Sequence, residues 1–202
     1  TAQFENKSGD KEYNLSVIDK LAGLAAAEGS KVIAFHECSI TGYTFARHLS
    51  KDQMLEVAEI IPDGPSILKL TEIAGKHDIT ILAGLFEKDK EDNIFKAYVC
   101  VDKNGLIAKH RKLHPFINAH INPGNSYTVF DLHGWKCGIL ICYDNNVIEN
   151  VRATVLLGAN ILFMPHVTMC TPSTRPGAGF VDPGLWQNRE NDPTSLRLEF
   201  DG

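Results

Sequence analysis

Several features common in membrane, secreted and metal-binding proteins are missing from this sequence of 202 residues. No apolar run approaches the roughly 18 to 20 residues that a helix needs to cross a bilayer. The first residues, Thr-Ala-Gln-Phe-Glu-Asn, do not combine a charged start with an apolar core, as a secretory signal would. The sequence also contains no internal repeat, no low-complexity segment and no Cys-x-x-Cys pair. We therefore expect neither a membrane span nor a targeting segment.

Positive charge is not concentrated in any part of the chain. The sequence has 20 lysines and arginines against 25 aspartates and glutamates, a net charge of −5, and the two signs are interspersed. A nucleic-acid-binding protein would show a basic patch or stripe. The composition therefore favours a small molecule or another protein as the partner, and it predicts no binding to nucleic acid or membrane.

The length and the hydrophobic content of 44% predict one globular domain over residues 1–202, with a sizeable core. A second domain is not expected. The sequence stops in a polar stretch that closes no fold, so we expect this domain to lack its C-terminal portion.

The cysteines and histidines argue against disulfides and metal. The cysteines are odd in number, widely spread and mostly in apolar segments, unlike a secreted disulfide framework; they are Cys38, Cys100, Cys137, Cys142 and Cys170. Reduced thiols predict a cytoplasmic location. His110 and His114 stand four apart, but they lie where a strand runs into a loop, so this spacing does not converge on a metal as it would on a helix. We predict no metal and no cofactor.

Cys142 lies at the end of an apolar segment that breaks at once into polar residues. Residues 136–142 predict a buried strand, and residues 147–156 have apolar side chains at helical spacing. Backbone N–H groups of such a strand-to-helix turn, Tyr143 among them, can bind a developing oxyanion, and the turn can lower a thiol pKa. A lone cysteine is also often just a small buried apolar residue.

Two further strand ends carry an ionisable residue. Glu37 follows the mostly apolar strand predicted within residues 31–36, and Lys112 follows the strand predicted at 106–111. At one edge of a sheet, these residues and Cys142 would supply a base, a cation and a nucleophile. Glu37 and Lys112 could instead form an ordinary ion pair, and Asp144 could merely cap the following helix.

The remaining segments alternate between helical and extended patterns. Helical spacing at 15–25, 54–61 and 67–77, with strands between them and hairpins at 94–111 and 127–142, predicts a mixed α/β fold. The strand at 78–87 ends on Glu87, a second candidate carboxylate. The loop after Glu37 carries Tyr43, which could line a pocket. Residues 167–180, rich in Thr, Pro, Gly and Ser, predict a surface loop that covers a binding site.

Taken in order, these segments resemble the nitrilase superfamily of carbon–nitrogen hydrolases. The likeness rests on Phe-His-Glu at 35–37 with Thr-Gly-Tyr at 41–43, on His-Arg-Lys-Leu-His at 110–114, and on Gly-Ile-Leu-Ile-Cys-Tyr-Asp at 138–144. Each piece alone is weak, but three in the family's order form a specific signal. The likeness extends to about Met164.

The resemblance implies a fold and a reaction. The fold is an αββα four-layer sandwich with mixed sheets and helices on the outer faces, assembled as a homodimer or a higher homo-oligomer. Cys142 is then the nucleophile, Glu37 the general base, and Lys112 the cation that holds the oxyanion with the backbone at Tyr143. The reaction is hydrolysis of a non-peptide C–N bond in a small amide or N-carbamoyl compound through a thioester, with a nitrile less favoured. No cofactor is implied.

Three departures from the family pattern concern the substrate pocket. His36 stands before the glutamate, where proline is usual. Many members carry a second glutamate about eight residues past the lysine, where this chain has Asn-Ala-His at 118–120. His166 follows a strand where smaller polar residues are commoner. We name Tyr43, Glu87, His120 and His166 as pocket candidates, with Glu87 a possible substitute for the second glutamate.

Two other functions stay open at this point. A catalytically silent member could keep the fold as a binding or scaffold protein. An acyltransferase could pass the same thioester to an amine instead of water.

Overall fold

Two β-sheets stack face to face in the structure, a computed structural model that describes residues 1–167 and residue 191. Residues 1–167 form one compact unit. The predicted domain over 1–202 stays a prediction, because most of the chain after residue 167 lies outside the described residues. The loop predicted at 167–180 also lies outside them, except for its first residue.

The secondary structure follows the predicted order. The helices are α1 (Lys11–Ala27), α2 (Lys51–Val57), α3 (Pro65–His77) and α4 (Ile148–Leu156). The strands are β1 (Val32–Ala34), β2 (Thr80–Lys88), β3 (Ile94–Asp102), β4 (Gly105–Arg111), β5 (Thr128–Leu132), β6 (Trp135–Ile139) and β7 (Ile161–Phe163). None of the helices within residues 1–167 is both long and apolar enough to cross a membrane.

The first sheet has four strands in the order β1-β2-β3-β4, and the second has three in the order β5-β6-β7. The β1–β2 and β6–β7 pairs are parallel, and the remaining neighbours are antiparallel. Both sheets are therefore mixed, as predicted. Parallel pairs need a crossover, which α3 and α4 supply.

Side chains of β2 and β3 point alternately to two different cores. Ile81 and Val99 belong to a cluster with the apolar faces of α1 and α3, whereas Leu82 and Tyr98 belong to a cluster with Ile139 of the second sheet. This alternation is the two-residue period of a strand that is buried on both faces. Helices cover the outer face of one sheet, and the sheets share the inner core.

Helix α4 covers the outer face of the second sheet. A Cβ atom added at Gly138 of β6 would lie 2.5 Å from Cγ2 of Thr154 in α4, so the glycine allows close approach. The layer order is helix, sheet, sheet, helix, and the predicted αββα sandwich is confirmed. One detail was wrong: the strand predicted to reach Cys142 ends at Ile139, and a 3₁₀ turn, Cys142–Asn146, precedes α4.

Gly84 of β2 determines how closely the chain after β1 approaches the first sheet. A Cβ atom added at Gly84 would lie 2.4 Å from the backbone nitrogen of Cys38. The Gly84 carbonyl accepts a hydrogen bond from the N–H of Ile40 at 2.9 Å. The segment that carries Glu37 therefore lies directly against the strand, where a larger residue would displace it.

Asp144 joins the end of the first sheet to the end of the second. Its buried carboxylate accepts hydrogen bonds from the N–H groups of Leu113 at 3.2 Å, His114 at 2.8 Å and Ile141 at 3.1 Å. Nε2 of His110 lies 3.4 Å from the same carboxylate. Burial acts to raise the pKa of Asp144, but the bonds from His110, His114 and Leu113 outweigh it, and the pKa lies below its usual value.

We predict that Gly84→Ala lowers the free energy of unfolding by about 3 kcal/mol, because the backbone atom that its Cβ meets cannot move aside. The matched control is Gly75→Ala in α3, whose added Cβ lies 3.6 Å from its nearest neighbour, a side-chain atom of Lys103. This change should raise stability by about 0.5 kcal/mol, because alanine favours a helix. Urea unfolding followed by circular dichroism measures both; equal stability of the two variants would refute the prediction.

We predict that Asp144→Asn lowers the free energy of unfolding by about 3 kcal/mol at neutral pH, because an amide cannot accept all these hydrogen bonds. The folded-state pKa of Asp144 is lowered, so its stabilisation is complete above the unfolded pKa of about 3.9 and is lost as pH falls through the lower, folded value. The difference between wild type and variant should therefore shrink below about pH 4.

Urea titrations at a series of pH values test this dependence. The control is Asp131→Asn, which removes a carboxylate that is 78% exposed and paired with Lys136. It should change stability by less than about 0.5 kcal/mol. A difference for Asp144→Asn that stays constant from neutral pH to pH 2 would contradict the assignment of its stabilising effect to the ionised carboxylate.

Candidate functional site

Glu37 lies in the turn that follows β1. The next residue, Cys38, has a φ of 51°, in the left-handed region that is unfavourable for a side chain larger than glycine. The turn is held by a hydrogen bond from the N–H of Gly42 to the Cys38 carbonyl at 2.8 Å. Glu37 is 1% exposed, so its carboxylate points into the protein and not into water.

Lys112 follows β4 directly and extends its pairing with β3 by one residue. Its N–H donates to the carbonyl of Lys96 at 2.8 Å, and its own carbonyl accepts from the N–H of Gly124 at 2.8 Å. The side chain is fully buried, and Nζ lies 2.7 Å from Oε1 of Glu37. The predicted base and the predicted cation therefore form a direct buried ion pair.

Cys142 begins the 3₁₀ turn that follows β6, and it is partly exposed. Its φ of 53° is also left-handed, and its N–H donates to the Pro165 carbonyl at 2.9 Å, just beyond β7. Such strained backbone persists only where surrounding contacts determine it. Here Asp144 and the Pro165 carbonyl provide those contacts.

The charges of the ion pair affect the pKa of the Cys142 thiol. Burial and the negative charge of Glu37 raise the pKa of Cys142, although Lys112 acts in the opposite direction. The turn was expected to lower the pKa of this thiol; the net shift is upward, because burial and Glu37 outweigh the lowering effect of Lys112. The resting form is a thiol beside a carboxylate, and Oε2 of Glu37 is buried without a hydrogen-bond partner among the described residues.

Lys96 of β3 is a site residue that the sequence reasoning missed. Its Nζ lies 3.4 Å from Oε1 of Glu37 and 4.1 Å from the ring centre of Tyr43, and the residue is 1% exposed. Phe116 also lies beside both lysines: its ring centre is 5.3 Å from Nζ of Lys96 and 4.9 Å from Nζ of Lys112. The available signal was a lysine in the middle of an otherwise apolar strand.

Two predicted site residues lie at this group. Tyr43 is buried against Lys96, and burial, followed by the negative charge of Glu37, raises its pKa. Tyr143 follows Cys142 and is 45% exposed, with its ring edge against Phe116 at 6.0 Å between centres. Tyr43 thus contacts the second lysine of the group, and Tyr143 contacts Phe116, whose ring lies beside both lysines.

His166 lies beside the Cys142 turn. It follows Pro165, which holds the N–H of Cys142, and its Nε2 lies 2.7 Å from the Asn145 amide nitrogen. His166 is exposed. His166 therefore lies next to the turn that carries Cys142. Its role in binding substrate stays a prediction.

The structure does not bring Glu87 or His120 to the ion pair. Glu87 is buried at the end of β2, where it accepts from Nζ of Lys109 at 2.6 Å and from the Arg111 guanidinium at 2.7 and 2.9 Å. Both of its oxygens are thus occupied, and it does not replace the missing second glutamate. His120 is exposed and lines a polar surface cleft with Lys51.

Asn118, near the usual position of the second glutamate, is also engaged elsewhere. Its Nδ2 donates to the carbonyls of Ala46 at 2.7 Å and Leu49 at 2.8 Å, and its Oδ1 accepts from the N–H of His120. The side chain therefore ties one loop to another. Within the described residues, no group of three or more His, Cys, Asp or Glu side chains could hold a metal ion.

The chain is similar to known carbon-nitrogen hydrolases. The family model for carbon-nitrogen hydrolases matches residues 1–178. A nitrilase of Pyrococcus abyssi is 32% identical over 159 residues, which are 77% of this chain and 59% of that protein. An (R)-stereoselective amidase of a Pseudomonas species is 27% identical over 170 residues, 83% of this chain and 59% of that protein. The chain thus spans less than two thirds of the length of these curated relatives.

Solved structures share the same architecture. Nit3 of Saccharomyces cerevisiae, a member of branch 10 of the nitrilase superfamily, has a TM-score of 0.70 at 28% identity, covering 81% of this chain and 61% of that chain. A variant of the amidase from Nesterenkonia sp. AN1 has a TM-score of 0.67 at 22% identity, covering 81% and 64%. The second likeness shows the fold alone. With its αββα sandwich and a family model matched from residue 1 to residue 178, the chain belongs to the carbon-nitrogen hydrolase family of the nitrilase superfamily.

Proposed function

We propose that the protein hydrolyses a non-peptide C–N bond in a small amide or N-carbamoyl compound, with Cys142 as the nucleophile. The observation that carries this proposal is the 2.7 Å contact between Nζ of Lys112 and Oε1 of Glu37, near a partly exposed thiol. Among residues 1–167, nothing else donates a hydrogen bond to the second oxygen, Oε2. The relatives named nitrilase and amidase support the reaction class.

The first half of the reaction forms a thioester. Glu37 takes the thiol proton through its free Oε2 as Sγ of Cys142 attacks the carbonyl carbon, because a thiol is a weak nucleophile until it loses its proton. The electron pair of the C=O bond moves to oxygen, where the Lys112 ammonium and the Tyr143 backbone N–H stabilise the negative charge. The C–N bond then breaks, and the nitrogen leaves with the proton from Glu37 as ammonia or an amine.

The second half returns the enzyme to its starting state. Glu37, again ionised, accepts a proton from water as the water oxygen bonds to the thioester carbon. The C–S bond breaks, Sγ recovers a proton from Glu37, and the acid leaves. One carboxylate thus serves as base and acid in turn, and this requires its Oε2 to be free of other hydrogen bonds.

We predict that Cys142→Ala abolishes ammonia or amine release from a panel of amides, ureido acids and nitriles. Glu37→Gln should lower turnover by about 1,000-fold or more, because an amide cannot take the thiol proton. Mass spectrometry should show an acyl group on Cys142 in the wild type and none in Cys142→Ala. The matched control is Cys137→Ala, which replaces a buried cysteine of β6 and should leave both readings unchanged.

The other outcomes discriminate between the open functions. No turnover and no adduct across the panel, with Cys142 also inert to iodoacetamide at neutral pH, would refute hydrolysis and favour a scaffold protein. Acyl transfer to an added amine in place of acid release would favour an acyltransferase. Acid release that survives Cys142→Ala would overturn the assignment of the nucleophile.

Homo-oligomer formation and a cytoplasmic location stay predictions. Helix α4 exposes apolar side chains that an association between copies could cover, with Ile148 70% and Leu156 75% exposed. Sedimentation velocity of the full chain would measure the size of the assembly.

A further inference from the structure

The centre of the site holds two buried lysines and one buried carboxylate. Lys96 is 1% exposed, Lys112 is fully buried, and both ammonium groups reach the same oxygen, Oε1 of Glu37. With both lysines protonated, this group carries one uncompensated positive charge. A buried charge without a counter-ion is unfavourable, so its retention needs a reason.

The strand register places the two lysines directly opposite each other. Ala97 of β3 pairs with Arg111 of β4, and the next hydrogen bond joins the N–H of Lys112 to the carbonyl of Lys96. Like charges at opposite positions of neighbouring strands repel each other. The ammonium groups tolerate this position because the Glu37 carboxylate accepts from both.

The surroundings of Lys96 leave Glu37 as its hydrogen-bonding partner. The ammonium lies over the rings of Tyr43 and Phe116, which attract a cation but accept no conventional hydrogen bond. Burial lowers the pKa of Lys96; Cys38 and Glu37 act to raise it, and Lys112 lowers it further. The other nearby carboxylate, Glu87, is held by Lys109 and Arg111.

We propose that Lys96 is a positioning residue for Glu37, which together with Lys112 holds Oε1 and thereby keeps Oε2 free and ionised for the proton of Cys142. This role rests on the hydrolysis proposed above. Two donors on one oxygen fix the plane of the carboxylate, and the second cation favours the charged, proton-accepting form. A single lysine would leave the carboxylate free to rotate about its contact.

Replacing Lys96 tests the role through charge. Lys96→Met keeps the length of the side chain without a charge, Lys96→Gln keeps a hydrogen-bond donor without a charge, and Lys96→Arg keeps the charge. The control is Lys109→Met, which removes a lysine from the Glu87 ion pairs, away from the thiol. Urea unfolding establishes which variants fold. If Lys96→Met does not fold, the comparison of Lys96→Gln with Lys96→Arg still tests the role of the charge.

The first reading is the pH profile of kcat/KM on whichever panel compound is turned over. The uncharged variants should lose about 100-fold, because a slightly misplaced base is inefficient. Their acid limb should move to higher pH by about one unit, because Glu37 has lost a cation that favours its ionised form. Lys96→Arg should restore the position of the limb, and Lys109→Met should not move it.

The second reading is the pH dependence of Cys142 alkylation by iodoacetamide, which needs no substrate. Its midpoint should rise by about one pH unit in the uncharged variants and return in Lys96→Arg, because the negative charge of Glu37, which raises the pKa of Cys142, has then lost one of the two cations that offset it. A wild type without turnover would refute the hydrolase while this reading still tests Lys96. The proposed role would be overturned if, in the uncharged variants, neither the midpoint of Cys142 alkylation nor the acid limb of kcat/KM moved, whatever the activity of these variants.

Discussion

The buried ion pair between Lys112 and Glu37 is the contact on which the site depends. The two residues are 75 positions apart in the chain, and they meet because β1 and β4 run in the same direction and end at the same end of the first sheet. Removing both charges from water costs several kcal/mol per ion, and breaking the pair would leave one charge unpaired at a cost of about 3–5 kcal/mol. The nearby backbone is therefore organised to hold this contact. Gly84 admits the Glu37 turn, and Gly124 holds the carbonyl of Lys112.

Two strained turns place the remaining chemistry around that pair. Cys38 and Cys142 both have positive φ, a conformation that costs about 1–3 kcal/mol at each residue. Neighbouring loop residues supply hydrogen bonds at both turns: the N–H of Gly42 donates to the Cys38 carbonyl, and the Pro165 carbonyl accepts from the N–H of Cys142. Asp144 then ties the Cys142 turn to the segment that follows Lys112, so a carboxylate without contact to the reacting atoms connects the nucleophile to the cation.

The charge balance of the site determines how its thiol is used. If the cations dominated at Cys142, the resting form would be a thiolate and a base would be unnecessary. Burial and Glu37 instead raise the pKa of Cys142, so the resting thiol keeps its proton, and in the proposed mechanism Glu37 removes it. Glu37 is suited to this because its cationic partners share one oxygen and leave the other open. Lys96 therefore contributes to the charge around Glu37 as Lys112 does, because both contact the same oxygen.

Periodicity and turn residues in the sequence were enough to predict the types and order of the helices and strands, because burial repeats every two residues in a strand and every three or four in a helix. Three ionisable or nucleophilic residues at strand ends identified Glu37, Lys112 and Cys142. The structure alone decided which side chains stand opposite one another. In the sequence, Lys96 inside an apolar strand and Glu87 at the end of a strand are both charged residues that interrupt an apolar pattern, and nothing local distinguishes them. Only strand register and sheet stacking placed Lys96 at the site and gave Glu87 to Lys109 and Arg111, because these partners are distant in the chain and local sequence does not encode the distance between them.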